Sequence, residues 1–278
     1  MKIVSFRVKN RGSEARLSLL EAVQRRWQRT RARNRRLLCF CAALVMLLLL
    51  LPLSAPGRAV MAAASKRQLP IYCVEKDSKV VSLSFDAAWG NEDTDQLIDI
   101  LGKYGISATF FVVGEWVEKY PESVRALYDA GHEIMNHSDD HAHYPKLSAD
   151  EIFADLARCN DKIEAVTGVR PTLFRPPYGD YNDKVISTVL ASGMQAVQWD
   201  VDSLDWKGLS AEKITARVLE RAEPGSIVLF HNAAEHTPEA LPGIIEGLIR
   251  QGFGFVPISK LVLTDGYEID HTGRQCPV

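Results

Sequence analysis

Acidic, basic and imidazole side chains follow the apolar runs of this sequence at the points where strands would end. These residues are Asp86, His137, Arg175, Asp205 and His231. Each alone has an ordinary explanation, such as a capping carboxylate or a surface histidine. Five in succession are better explained by one polar site, because the carboxyl ends of parallel strands meet at one rim. The residue types suit acid–base chemistry, in which a carboxylate and an imidazole divide the work.

His137 and His141 are four residues apart in the sequence. One turn of helix places both imidazoles on the same side, which suits the binding of one divalent cation. The spacing alone is a weak signal, since many such pairs are incidental, but Asp139 adds a carboxylate to the neighbourhood. His132 and His143 are interpreted as incidental.

Short β-rich runs alternate with amphipathic stretches from residue 80 onward. Strands are predicted at 80–85, 107–113, 132–137, 172–177, 194–201, 225–231 and 253–259, and helices at 93–105, 121–131, 147–168, 182–193, 209–222 and 237–252. Ser148 and Glu151 have the spacing of a capping box at the start of the third helix. This alternation indicates parallel strands joined by crossover helices. It predicts an α/β fold, a distorted (β/α) barrel of about seven parallel strands, with the chemistry at their C-terminal ends.

The N-terminal 55 residues carry a membrane-targeting pattern. Residues 1–36 contain twelve Lys/Arg and two Glu, a local charge of +10, which leaves −12 for the rest of a chain whose net charge is −2. Residues 37–55 carry no charge and are long enough to cross a bilayer as one transmembrane helix. Positive charge before the span predicts a cytoplasmic N-terminus and an extracytoplasmic remainder. The chain is therefore predicted to be a single-pass protein of the cell membrane.

A cleavable signal peptide is the rival interpretation of this pattern, because VMAAAS (60–65) offers small residues to a peptidase. The 36-residue basic stretch is long for a signal peptide, which favours a retained anchor. A basic segment directly before an apolar span is a topology signal, so no nucleic-acid partner is expected.

The flanks of the exported domain are less informative. Residues 56–78 are interpreted as a linker and lead-in to a domain at 79–262, and the polar residues 263–278 as a loose C-terminal tail. The cysteines form no disulfide framework. A disulfide bond between Cys73 and Cys276 would join the two ends of the domain, and the sequence leaves this possibility open.

The order of the polar motifs resembles that of the NodB-homology polysaccharide deacetylases, carbohydrate esterase family four. Five motifs match in order: SFDAAWG (84–90), HSDDH (137–141), RPPYG (175–179), DSLDW (202–206) and LFH (229–231). The resemblance covers about residues 79–262. It implies a hydrolase that removes N-acetyl groups from cell-wall amino sugars, with peptidoglycan as the polysaccharide partner. The N-terminal span combined with FD-x-x-WG looks most like the sporulation-associated subgroup.

The resemblance implies a division of acid and base work. Asp86 is expected to be the general base, with Arg175 orienting it and keeping it ionised. His231 is expected to be the acid that protonates the leaving amine, supported by Asp205.

The resemblance also implies a metal and a substrate pocket. His137 and His141 are expected to hold a divalent ion, with zinc as the favoured metal, which would act as a Lewis acid. The backbone N–H of Tyr178 is expected to stabilise the oxyanion, and Trp206 and Leu229 to wall the acetyl pocket.

One position departs from the family pattern. Motif one usually reads Asp-Asp, with the second carboxylate as the third metal ligand, and here that position is Ala87. Three interpretations stay open. Another carboxylate supplies the ligand, with Glu92, Asp93 and Asp139 nearest in sequence; or Asp86 itself ligates; or the metal is weakly bound or absent.

The favoured function is a membrane-anchored extracytoplasmic deacetylase of peptidoglycan. The alternative is a catalytically impaired, glycan-binding member of the same fold, because of Ala87. A hydrolase of another non-peptide C–N bond is a weaker third option. Trp89, Trp206 and Tyr178 are either sugar-stacking residues or simple rim packing.

Overall fold

Strands and helices alternate along the described part of the chain. The computed structural model describes residues 67–278, which form one compact unit. The strands are β1 (Cys73–Val74), β2 (Val80–Ala87), β3 (Thr109–Val112), β4 (Glu133–Asn136), β5 (Leu173–Phe174), β6 (Gln195–Ala196), β7 (Val201–Asp202), β8 (Ile227–His231), β9 (Gly254–Phe255), β10 (Tyr267–Ile269) and β11 (Arg274–Pro277). The α-helices are α1 (Thr94–Lys103), α2 (Gly114–Lys119), α3 (Pro121–Asp129), α4 (Ala149–Thr167), α5 (Asp183–Ala191), α6 (Ala211–Arg221), α7 (Thr237–Arg250) and α8 (Ile258–Leu261).

Seven parallel strands form a curled half-barrel in the order β6-β5-β4-β3-β2-β8-β7, and β9 pairs with β2 beside this path. The predicted α/β class and the number of parallel strands are confirmed. The sheet is a half-barrel, however, because β6 and β7 are its two edges. Only residues 197–200 connect them, too few for the crossover that would place them side by side. The single strand predicted over 194–201 is therefore wrong.

The central strand β2 is buried on both faces, as expected of a parallel sheet covered by helices. Its apolar residues Val81, Leu83 and Phe85 join the core between the sheet and the helices. On the inner face, the Ser84 hydroxyl donates to the Val228 carbonyl at 2.7 Å. Because side chains alternate along a strand, this register also turns Asp86 toward the inside of the half-barrel.

Helix α4 begins at the capping box that the sequence predicts. The Ser148 hydroxyl accepts from the Glu151 backbone N–H, and the Glu151 carboxylate accepts from the Ser148 N–H. The helix ends at Gly168, whose φ of 78° suits a residue without a Cβ. Asp155 and Asn160 are buried on its inner side, where they face the loop after β4.

The C-terminal segment 263–278 is an ordered part of the fold and not the loose tail expected from its polarity. Strands β10 and β11 form a hairpin, and β11 pairs in parallel with β1. Gln275 is fully buried, where its amide accepts from the Leu263 N–H at 2.7 Å and donates to the Leu263 C=O at 2.8 Å. This pairing joins positions twelve residues apart and has no signature in the local sequence pattern.

Two further expectations concern the flanks. Cys73 and Cys276 are both free thiols in this structure, so the disulfide left open by the sequence is not formed. Within residues 67–278, no helix has the length and apolarity needed to cross a membrane. The predicted basic segment 1–36 and the predicted span 37–55 lie outside the described residues and stay predictions.

Replacing Gln275→Ala tests the role of the C-terminal hairpin. The partly buried Leu263 N–H would lose its acceptor, and the Leu263 C=O would keep only the Gln195 amide as a donor, so we expect unfolding free energy to fall by about 1–3 kcal/mol. Urea unfolding of the full chain measures this, with the exposed hairpin substitution Glu268→Gln as control. Equal stability of both variants and the wild type would mean that the hairpin is not part of the cooperative unit.

Candidate active site

Residues from several strand ends surround one cavity of about 450 Å³. Seven of the nine predicted site residues line it, namely Asp86, His137, His141, Tyr178, Trp206, Leu229 and His231. The other two, Arg175 and Asp205, are buried behind them. The fold therefore brings all nine of these residues to one place.

Arg175 and Asp86 form a buried ion pair beneath the cavity. The Arg175 guanidinium donates to Asp86 Oδ1 at 2.8 Å, to the Ser84 hydroxyl at 2.9 Å and to the Gln198 carbonyl at 3.1 Å. Its Cζ atom lies 4.1 Å from the centre of the Phe111 ring. These contacts hold the arginine in place and fix the orientation of the Asp86 carboxylate.

The charge of Asp86 follows from its neighbours. Burial alone raises the pKa of this carboxyl group, but neighbouring positive charge, chiefly that of Arg175, outweighs burial and holds the pKa below its ordinary value. Asp86 is therefore a carboxylate at neutral pH. Its Oδ2 atom is 3.5 Å from Nε2 of His137, within the cavity.

His231 and Asp205 form the second pair. Asp205 Oδ1 accepts from Nδ1 of His231 at 2.8 Å, while Oδ2 accepts from the His231 backbone N–H at 2.8 Å and from the Thr237 hydroxyl at 2.7 Å. This arrangement leaves Nε2 of His231 as the nitrogen without a carboxylate partner in the pair. Asp86 and His231 lie opposite each other on the neighbouring strands β2 and β8, so the carboxylate and the imidazole are adjacent.

The loop that carries the two imidazoles is fixed by buried polar groups. Asn136 accepts from the Ser138 N–H at 2.8 Å, and the Ser138 hydroxyl accepts from the His141 N–H at 2.8 Å. Asp155 on α4 accepts from the Asp139 N–H at 2.9 Å. Ser138 and His141 adopt left-handed backbone angles, with φ of 73° and 57°, a strain that such loops keep at functional sites.

His137 and His141 have the features of metal ligands. Nδ1 of His137 is 2.7 Å from the Arg175 carbonyl, which holds its proton there and leaves Nε2 free to ligate. Nδ1 of His141 is buried with no hydrogen-bond partner among the described residues. Burial lowers the pKa of both imidazoles, to about 4 for His141, so both are neutral, the form that binds metals.

A third protein ligand is missing from this donor set. Within residues 67–278, no three His, Cys, Asp or Glu side chains are grouped so as to hold a metal ion. Asp139, one of the three nearest carboxylates, faces α4 instead, where it pairs with Arg158 at 2.9 Å and Lys162 at 2.6 Å. Asp93 accepts from the Ala233 N–H at 2.9 Å. Glu92 is exposed on the surface.

The alanines of motif one differ in their surroundings. Ala87 is only 1% exposed and belongs to the apolar core between the sheet and the helices. Ala88 lines the cavity beside Asp86 and the imidazoles. Neither side chain can ligate, so the site has two imidazoles where catalytic zinc has three protein ligands.

Several residues around the site were not predicted from the sequence. Asn232 clamps the loop after β2 by accepting from Ala88 N–H and donating to the Trp89 carbonyl. Its position directly after His231 was a signal that could have found it. Thr237, at the start of α7, holds Asp205, and no feature of the sequence indicates that contact.

Comparison with known proteins agrees with this geometry. Residues 74–197 match the family model described as polysaccharide deacetylase. A peptidoglycan-N-acetylglucosamine deacetylase of Bacillus cereus is 34% identical over 188 residues, which are 66% of this chain and 68% of that protein. The chain belongs to the polysaccharide deacetylase family. Its expected family membership is thereby confirmed, while the sporulation-associated subgroup stays a prediction.

Other deacetylase-family proteins are similar over the same region. The peptidoglycan-N-acetylmuramic acid deacetylase PdaC of Bacillus subtilis is 38% identical over 68% of this chain, which spans only 40% of the length of PdaC. A crystal structure of a Bacillus anthracis pseudoenzyme of carbohydrate esterase family 4 is 36% identical, with a TM-score of 0.67, over 69% of this chain and 68% of that one. A mutant of that pseudoenzyme is described as having restored enzymatic activity, with 38% identity.

The pairing of His231 with Asp205 predicts a shifted pKa for the His231 imidazole. Burial by itself lowers the pKa of His231, but the hydrogen bond and charge of Asp205 outweigh it and raise the pKa above the ordinary 6.5. We expect Asp205→Asn to lower this pKa, because burial remains and the charge is lost. NMR titration of the His231 imidazole measures the change.

The control for this titration is Asp180→Asn, which removes the carboxylate beside the exposed His143. It should leave the pKa of His231 unchanged. Because the pKa of His231 is raised in the folded state, its protonation stabilises the fold. This stabilisation is fully present below the pKa that His231 has in the unfolded chain, and it is lost as pH rises through the pKa that His231 has in the folded chain. Asp205→Asn should therefore destabilise the chain most in acid. An unchanged His231 pKa in Asp205→Asn would contradict the assignment.

Proposed function

We propose that this protein is a deacetylase that hydrolyses N-acetyl groups of peptidoglycan amino sugars. The observation that carries the proposal is the adjacent placement of an ionised Asp86 and an Asp205-supported His231 on one cavity wall. Base and acid work in hydrolysis require two groups whose pKa values are pushed apart. The deacetylase names of the relatives support the same reaction class.

In this proposal, Asp86 takes a proton from the water that attacks the acetyl carbonyl. The carbon–nitrogen bond then breaks, His231 gives its proton to the leaving amine, and acetate is released. Leu229 and Trp206 line the cavity and would enclose the acetyl methyl group. The Tyr178 backbone N–H, held at a φ of 60°, would stabilise the oxyanion.

A divalent ion, with zinc as the favoured metal, would be held by Nε2 of His137 and a ring nitrogen of His141. Such an ion supplies Lewis acidity toward the acetyl carbonyl. With two protein ligands, we propose that binding is weak and that the ion is lost readily.

We also propose that the protein acts outside the cytoplasmic membrane, anchored by residues 37–55 with residues 1–36 in the cytoplasm. The charge and apolarity of these segments support this placement. The substrate polymer lies in the same compartment. The motif FD-x-x-WG supports membership of the sporulation-associated subgroup.

The second candidate is a glycan-binding protein with impaired catalysis. The missing third ligand favours it, as does the similarity to a pseudoenzyme of the same esterase family. The two candidates share the cavity and its aromatic rim, and they differ in whether acetate is released.

Substituting Asp86→Asn separates the two functions. The amide keeps a hydrogen bond to Arg175 but cannot take a proton, so we expect acetate release from peptidoglycan fragments to fall about 10²- to 10⁴-fold. Binding of the same fragments should persist. An enzymatic acetate assay of the full chain measures release, with the exposed Asp150→Asn on α4 as control. Glycan binding without acetate release by the wild type would make the binding protein the better proposal.

Metal titration tests the two-imidazole site. We expect one zinc per chain in excess zinc, lost on gel filtration into zinc-free buffer, because one protein ligand is missing. Elemental mass spectrometry of the full chain measures the ratio. The double substitution His137→Ala with His141→Ala should abolish binding. A wild-type chain that takes up no zinc even in excess would remove the metal from the proposal.

A further inference from the structure

Trp89 exposes 65% of its surface at the mouth of the cavity, although a tryptophan side chain gains much free energy from burial. It follows Asp86 by three residues, and none of the acid, base or metal roles uses it. Trp206 and Tyr178 lie on the same cavity and are 58% and 60% exposed. The cavity therefore has three largely exposed aromatic rings on its rim.

The loop under Trp89 is held by buried side chains. The Trp89 carbonyl accepts from Nε1 of Trp116 at 2.6 Å and from Nδ2 of Asn232 at 3.0 Å. Asn232 also accepts from the Ala88 N–H at 3.2 Å. Trp116 and Asn232 are only 3% and 4% exposed. Because its backbone is pinned from inside, the indole is presented outward by the fold.

The Trp89 ring is also fixed relative to the reacting groups. It meets the His141 imidazole edge-on, with ring centres 5.9 Å apart. Tyr178 contacts the same imidazole at 4.4 Å and stacks on His143 at 4.2 Å. Trp89 and Tyr178 thus share one neighbour at the rim, and both keep most of their surface free for a ligand.

We propose that Trp89 is a stacking platform for a pyranose ring of the glycan, adjacent to the sugar whose acetyl group enters the cavity. This inference rests on the proposed function and adds the residue that binds the neighbouring sugar of the chain. The C–H faces of a pyranose ring are apolar, and stacking on an indole removes both surfaces from water.

The position of Trp89 supports a neighbouring sugar and not the reacting one. Asp86 and His231 lie on adjacent strands and fix where the acetyl group reacts. Trp89 lies beyond the end of β2, on the loop that leaves the sheet. A pre-ordered ring at this place binds at little entropic cost, because neither its backbone nor its rim contact has to form on binding.

Calorimetry on the full chain in mild detergent tests this inference with two probes, N-acetylglucosamine and its β-1,4-linked tetramer. We expect Trp89→Ala to weaken tetramer binding about tenfold, a typical loss for an aromatic contact, and Trp89→Phe to weaken it less. Affinity for the monosaccharide should not change. Phe153→Ala on α4, an aromatic residue of similar exposure at 51%, is the matched control and should bind the tetramer normally.

Equal tetramer affinity in Trp89→Ala and the wild type would overturn the inference. So would a loss confined to vesicle binding or to self-association, measured on the same variants, because the indole would then serve a membrane or a second copy. Acetate release decides the proposed function separately. Wild-type binding that depends on Trp89, without acetate release, would uphold the platform and reject the deacetylase.

Discussion

The buried ion pair of Arg175 with Asp86 is the interaction on which the site and the inside of the half-barrel both depend. Arg175 is fully buried after β5, and it reaches Asp86 and Ser84 on β2. Removing one partner of such a pair leaves an uncompensated charge and costs about 3–5 kcal/mol. The pair therefore serves stability and chemistry together, since the contact that keeps Asp86 ionised also joins distant strands.

The pair of His231 with Asp205 differs from the pair of Arg175 with Asp86 in its exposure to solvent. Asp205 is almost completely buried, whereas the His231 side chain keeps 26% of its surface accessible at the cavity. The carboxylate is held by the Thr237 hydroxyl and the His231 backbone, so its place does not depend on the imidazole alone. One wall of the cavity thus combines a group held in its basic form with a group whose proton affinity is raised, which is the arrangement that hydrolysis needs.

The sequence pattern predicted the features that depend on residues close in sequence or on a general rule of parallel sheets. The capping box of Ser148 and Glu151 and the polar residues at strand ends could be read from spacing, because both depend on neighbours in sequence or on a rule common to parallel sheets. The burial of Gln275 against Leu263 could not, nor could the pairing of Asp139 with Arg158 and Lys162 on α4. These contacts depend on which helix or hairpin packs beside the loop.

Strand β2 and the loop after it contain both Ala87, where the family's usual third metal ligand is absent, and Trp89 of the cavity rim. Strand β2 ends at Ala87, which is packed in the apolar core, and the loop begins at Ala88, whose N–H donates to Asn232. Asn232 and Trp116 supply the hydrogen bonds that fix this loop. Under the proposed function, Trp89 would meet the glycan from a loop that buried protein side chains hold in place.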